Sequence, residues 1–226
     1  MKDFRKPDRT LYLGWVVGTA TSIPIGFIVF FIIIFLIMRV IGNTMQVGDQ
    51  TGPTEDVIMG YILVPILGLS IGCLQWLVLR RYLPRMGWWI LATCLGMLLA
   101  LEISDPLRSL ITSLEIEIDS DYWDFILTMI LIGGSIGLLQ WFVLRKHVSR
   151  ASWWVPANVI GWVLSFGSVF VMSKIYASVH HSSSFIEIAS MALQALALAL
   201  IPAIVTSVTL WLLLNPAKGG VPRLIS

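Results

Sequence analysis

Two pentapeptides match the Gly-x-Ser-x-Gly pattern that sets a serine nucleophile on a sharp turn: Gly68-Leu69-Ser70-Ile71-Gly72 and Gly133-Gly134-Ser135-Ile136-Gly137. A serine attacks only with a base in hydrogen-bond reach. The histidines are His147, His180 and His181, all outside the apolar runs, and no lysine falls in the middle of a run. Serine hydrolysis is therefore not expected, and the glycines read as contacts between helices. The lack of imidazole within the runs also argues against haem and most buried metal sites. The lack of mid-run Asp, Glu, Lys or Arg argues against a proton relay or an ion-coupled carrier. Cys73 and Cys94 lie inside runs and read as small apolar packers. The acidic series Glu115, Glu117, Asp119, Asp121 and Asp124 lacks the glycine and terminal glutamate of an EF-hand loop, so it reads as a solvated rim. The pair His180-His181 is too small a donor set for a metal. No cofactor, no metal and no enzymatic activity are expected.

The polar residues that remain inside the runs are repeated. Ile71 to Arg81 reads IGCLQWLVLRR, and Ile136 to Lys146 reads IGLLQWFVLRK. Residues 68–99 align without a gap to 133–164, pairing Gly68 with Gly133, Gly72 with Gly137, Gln75 with Gln140, Arg80 with Arg145 and Gly96 with Gly161. Repeats of this length fix architecture before any motif does. A helical stripe at i, i+4, i+7 and i+11 joins Trp89, Thr93, Gly96 and Ala100; it recurs as Trp154, Asn158, Gly161 and Ser165, and as Trp15, Thr19, Ser22 and Gly26. The glycine and glutamine seam fades to Ala199, Ala203 and Thr206 near the end of the chain.

The elements that carry these residues follow from composition. Of 226 residues, 57% are hydrophobic and 12% charged, with mean hydropathy +0.87. A run crossing a ~30 Å hydrocarbon layer needs about 20 residues, and six can be placed, at 11–38, 57–79, 87–103, 123–144, 153–173 and 187–214. The first is too long for a signal-peptide core and reads as a retained anchor. The expected fold class is all-α: a polytopic membrane protein of one domain, 1–226, with six transmembrane helices as three hairpins (11–79, 87–144 and 153–214) about a pseudo-threefold axis. Residues 104–118 share an apolar face through Leu107, Leu110, Ile111 and Leu114, which predicts a short interfacial helix in an outer loop. Pro24, Pro65 and Pro202 should kink or open their helices, and the long first and last spans should tilt.

Twelve of the fifteen basic residues fall at the N-terminus, in the 80–85 and 145–150 turns or at the C-terminus, whereas the opposite loops are acidic. Lys and Arg in short loops stay on the cytoplasmic side, so both termini should be cytoplasmic. This sidedness explains the net charge of +2 without nucleic-acid binding. The basic face would attract anionic lipid headgroups. Most tryptophans fall near span ends, which predicts an interfacial aromatic belt.

Gln75 stands five residues from Arg80, about 7–8 Å deeper at ~1.5 Å per residue. Thr93 stands at the same depth beyond Trp88, so Gln75–Thr93 and Gln140–Asn158 hydrogen bonds are expected as fasteners between helices. Alternatively Gln75, Gln140, Thr93, Asn158 and Thr206 line a cytoplasm-facing cavity, with Arg80 and Arg145 drawing anions to its mouth. Gly68, Gly72, Gly133, Gly137, Gly96 and Gly161 are the candidate helix-packing positions in either case.

The doubled pattern G-x-x-x-G-x-x-Q-W-x-x-L-R followed by W-W-x-x-A resembles a group of uncharacterised six-span bacterial membrane proteins of the cyanobacterial and green non-sulfur type. The resemblance covers residues 68–165 and implies location and architecture only: a bacterial inner membrane, with a thylakoid or other photosynthetic membrane compatible. The function expected is a non-enzymatic scaffold or accessory subunit of a membrane complex, in contact with lipids and other integral membrane proteins. The alternative is a small-molecule-binding or permease component.

Overall fold

In the computed structural model the described residues are 7–41, 44–47, 50–53, 62–113, 120–178 and 184–215. They form α1 (Arg9–Ile41), a two-stranded antiparallel ribbon β1 (Thr44–Val47) and β2 (Gln50–Pro53), then α2 (Val64–Leu79), α3 (Trp88–Ser113), α4 (Ser120–Leu144), α5 (Trp154–Ser178) and α6 (Ser184–Leu214). The ribbon, which pairs Thr44 with Pro53 and Val47 with Gln50, has no counterpart in the helical periodicity of the sequence.

Five of the helices are long and apolar enough to cross a membrane, as expected of a multi-pass membrane protein. The exception is α2. Its 16 residues reach about 24 Å at ~1.5 Å per residue, short of the ~30 Å hydrocarbon layer. Pro65 sits in its first turn, where a missing N–H costs least, behind a π turn at Ile62–Leu63. Of the span expected over 57–79, residues 57–61 lie outside the described residues.

The separate helix expected over 104–118 is not formed within the described residues; 104–113 are the continuous end of α3, with Pro106 inside it. Packing carries the helix past the proline, because Arg108 Nη2 donates to Thr128 Oγ1 of α4 at 3.0 Å and so ties this end to its neighbour. Residues 114–118 lie outside the described residues, as do Glu115, Glu117, Asp119, His180, His181 and the side chains of Asp121 and Asp124.

The basic end is closed by short-range bonds. Asp8 caps α1, its Oδ1 accepting from Thr10 Oγ1 at 2.6 Å, from Leu11 N at 3.2 Å and from the Tyr82 hydroxyl at 3.1 Å. The Thr10 hydroxyl is the main reason the Asp8 carboxyl titrates below its usual range. In the second basic turn, burial and then the neighbouring Lys146 charge push His147 below the usual imidazole value.

Each helix packs on the next, and α6 returns to α1, so the six form a closed ring. Glycines set the crossings. A methyl group at Gly68 would stand 3.0 Å from Cys94 Cα and one at Gly133 2.8 Å from Val159 Cα. At Gly72 it would be 3.0 Å from Ile90 Cα, and at Gly137 3.1 Å from Val155 Cα. The α2–α3 and α4–α5 crossings thus use partners shifted by the same sequence offset. A methyl group at Gly96 would stand 2.6 Å from Ile136 Cα and one at Gly161 3.1 Å from Pro202 Cα, so the same close approach joins α3 to α4 and α5 to α6. Pro202 cannot donate to Leu198, and the freed carbonyl accepts from Ser165 Oγ across that crossing at 3.1 Å.

The interior is layered along the ring axis. At the basic end Leu11, Leu79, Leu83, Met86, Leu144, Val148 and Leu210 are buried. Farther along the axis come Ile23, Ile71, Met97, Ile136 and Ala199, and then Phe30, Ile34 and Ile66. Large apolar side chains such as Phe31, Phe35, Ile175 and Leu212 cover the outside, a surface suited to hydrocarbon and not to water.

Candidate functional site: a tryptophan and amide belt on the axis

Between the first and second apolar layers lies a polar belt. Its roof is Trp15, Trp89 and Trp154, each fully buried. Their rings meet edge to face in all three pairings, with centroids 5.9 Å apart for Trp15 and Trp89 and 5.6 Å for the other two. Such contacts contribute about 0.5–1.5 kcal/mol each beyond area burial. The interfacial belt expected from the sequence is occupied by Trp88 and Trp153, 67% and 66% exposed, but these three tryptophans correct it. The reason is rotational: one residue along a helix is about 100°, so of each Trp-Trp pair one faces out and the other faces the axis.

Each buried indole N–H needs an acceptor. Trp89 Nε1 donates to Gln75 Oε1 at 2.9 Å, Trp154 Nε1 to Gln140 Oε1 at 2.8 Å, and Trp15 Nε1 to Thr206 Oγ1 at 3.0 Å. The amide nitrogens then bond backwards around the ring. Gln75 Nε2 donates to Thr19 Oγ1 at 3.2 Å, and Gln140 Nε2 to Thr93 Oγ1 at 2.9 Å and to Gln75 Oε1 at 3.2 Å. Thr93 Oγ1 in turn donates to Trp89 O at 2.9 Å, and Thr206 Oγ1 to Pro202 O at 2.6 Å.

The pairing differs from the one read off depth alone. Gln75 bonds Thr19 and not Thr93, and Gln140 bonds Thr93 and not Asn158. Depth fixes height but not azimuth: each glutamine sits between two helices, accepting from the tryptophan ahead and donating to the hydroxyl behind. Asn158 turns its Nδ2 to Trp154 O of its own helix at 2.9 Å. The third position carries Thr206 where the other two carry glutamine, so one amide arm is missing there. Trp15, Trp89 and Trp154 join the candidate residues here; in sequence they lie near span ends, and the signal that marks them is their place at the head of the stripes that hold Thr19, Thr93 and Asn158.

A cavity of about 20 Å³ lies on the axis, lined by Thr19, Gln75, Gln140, Asn158 and Thr206 together with apolar side chains from the layer below. That volume holds about one water molecule and no substrate, since a water needs roughly 10–15 Å³ by this measure. Thr93 is buried next to it, bonded to Gln140. Arg80 and Arg145 do not line it. Each lies over an aromatic of the helix it follows, Arg80 4.8 Å from the Trp76 ring centre and Arg145 5.1 Å from Trp141 and 4.6 Å from Phe142. Among the described residues no group of three or more His, Cys, Asp or Glu could hold a metal ion.

The belt can therefore lock helices at a fixed register, and the residues in it offer no nucleophile and base pair. No family model matches the chain, and no curated protein or solved structure matches it either.

Proposed function

We propose that the chain is a non-enzymatic integral membrane protein that serves as a scaffold or accessory subunit of a membrane complex. In this reading its six helices are three copies of one hairpin about a pseudo-threefold axis, and both termini are cytoplasmic, in a bacterial inner membrane or a photosynthetic membrane. The observation that carries the reading is the filled axis: three tryptophans, bonded amides and a cavity of about 20 Å³ leave no room for a solute. A permease would have to part the tryptophan cluster, breaking three ring contacts and the indole bonds together.

The test is affinity purification from native membranes in a mild detergent. A stoichiometric membrane-protein partner is the expected result. A chain that purifies alone, and that in proteoliposomes moves a small solute in a Gln75-dependent way, refutes the scaffold reading in favour of the permease.

A further inference from the structure

We infer that the α2–α3 seam holds one anionic phospholipid, with an acyl chain in the groove formed by Pro65, Leu69, Gly87, Ile90, Leu91 and Cys94 and its phosphate on Arg81 and Arg85. The groove is about 290 Å³ and apolar, more than ten times the volume of the axial cavity. It faces outward: Leu69 and Leu91 on its two walls are 49% and 46% exposed. From Gly87 to Cys94 it follows α3 for seven residues, about 10 Å at ~1.5 Å per residue. Its shape and lining suit a hydrocarbon chain entering from the headgroup level, where exposed Trp88 marks the interface.

The recess is open at its headgroup end, where residue 87 carries no side chain. A methyl group built there meets nothing within 4 Å, whereas glycines deeper on the same seam are in backbone contact. The repeat places Ser152 at the matching position in the other basic turn. What selects the lipid is charge. Arg80, Arg81 and Arg85 precede the groove in the α2–α3 turn; Arg80 is committed to the Trp76 ring, but Arg81 and Arg85 are exposed and, among the described residues, form no ion pair. Arg85 is held at φ 55°, a left-handed conformation that side chains seldom adopt, so the turn keeps an arginine two residues from the groove where a glycine would be easier. Guanidinium groups bind phosphate oxygens in pairs and carry weak hydration, which suits a headgroup site at the edge of hydrocarbon.

The test is native mass spectrometry of protein purified in detergent with equal amounts of phosphatidylglycerol and phosphatidylcholine of identical acyl chains. The expected result is one retained lipid per chain, with phosphatidylglycerol preferred at least five-fold. Arg81→Gln with Arg85→Gln should abolish the preference, and Gly87→Phe, which fills the recess, should abolish retention of both lipids. Lys146→Gln with Arg150→Gln removes equal charge from the same face and should change neither. Equal retention of phosphatidylcholine, an unchanged preference in the Arg81/Arg85 variant, or an equal loss in the Lys146/Arg150 variant each overturns the site. As a second readout independent of that selection, Cys94 alkylation in a Cys73→Ala background should slow at least three-fold with phosphatidylglycerol and not with phosphatidylcholine; identical rates likewise overturn it.

Discussion

Replacing Gln140 by leucine removes one member of the belt while keeping its approximate volume. Three bonds go: the acceptor for Trp154 Nε1 and the donations to Thr93 Oγ1 and Gln75 Oε1. The consequences are unequal. Thr93 keeps its bond to Trp89 O, and Gln75 Oε1 still accepts from Trp89, so both stay satisfied. Trp154 is left with a fully buried N–H and no acceptor, which costs about 1–3 kcal/mol. Two lost interhelical bonds add about 0.6 kcal/mol each by the average for membrane bundles. The total is about 2–4 kcal/mol. Reversible unfolding in mixed micelles, followed by tryptophan fluorescence, measures it. Because the largest part is an orphaned donor, Trp154→Phe should be cheaper in the Gln140→Leu background than in the wild type, with a coupling of about 1 kcal/mol or more. A loss below about 0.5 kcal/mol for Gln140→Leu, or purely additive effects in the cycle, would refute the argument that the amide exists to satisfy the indole.

Gly96→Ala should destabilise by about 1–3 kcal/mol, because its new methyl would stand 2.6 Å from Ile136 Cα and backbone must move; Gly87→Ala, with open space around it, should stay within about 0.5 kcal/mol in the same unfolding assay. Ser165→Ala leaves the Leu198 carbonyl freed by Pro202 without its hydroxyl donor and should cost about 0.6–1.7 kcal/mol, read by chemical denaturation. Asp8 has a lowered carboxyl pKa when folded, so its contribution is present above the unfolded carboxylate value near 3.8 and is lost as pH falls through the still lower folded value. The melting difference between wild type and Asp8→Asn should accordingly be flat from pH 7 to pH 5 and shrink below about pH 4; a difference that grows on acidification contradicts the cap.

The parts of the molecule legible in its sequence are those governed by one-dimensional spacing. Long apolar runs mark the helices, and glycines at fixed spacing mark the places where backbones cross. Azimuth was harder. The offset between Trp88 and Trp89 is a single residue, yet it separates a lipid-facing ring from the centre of the protein, and only the i+4 relation of Trp89 to Thr93 carried that signal. The partners of Gln75 and Gln140 depend on which helix lies behind and which ahead in the ring. That order is a property of closure and is written in no local pattern. The continuation of α3 through Pro106 to Ser113 likewise goes with a contact no local pattern announces, the Arg108 bond to Thr128 of α4.

Trp15 and Thr206 are joined by a hydrogen bond although 191 positions separate them. A chain delivered to the bilayer from its N-terminus must hold that indole without its acceptor until the final helix arrives. Gln75 can already reach Thr19 by then, so the earlier helices have internal fastenings to wait with, while the last one supplies the keystone. Truncation before Ser184, which removes α6 whole, should accordingly leave an open arc that exposes the Trp15 face sideways, a feature by which membrane quality control could recognise an unfinished molecule.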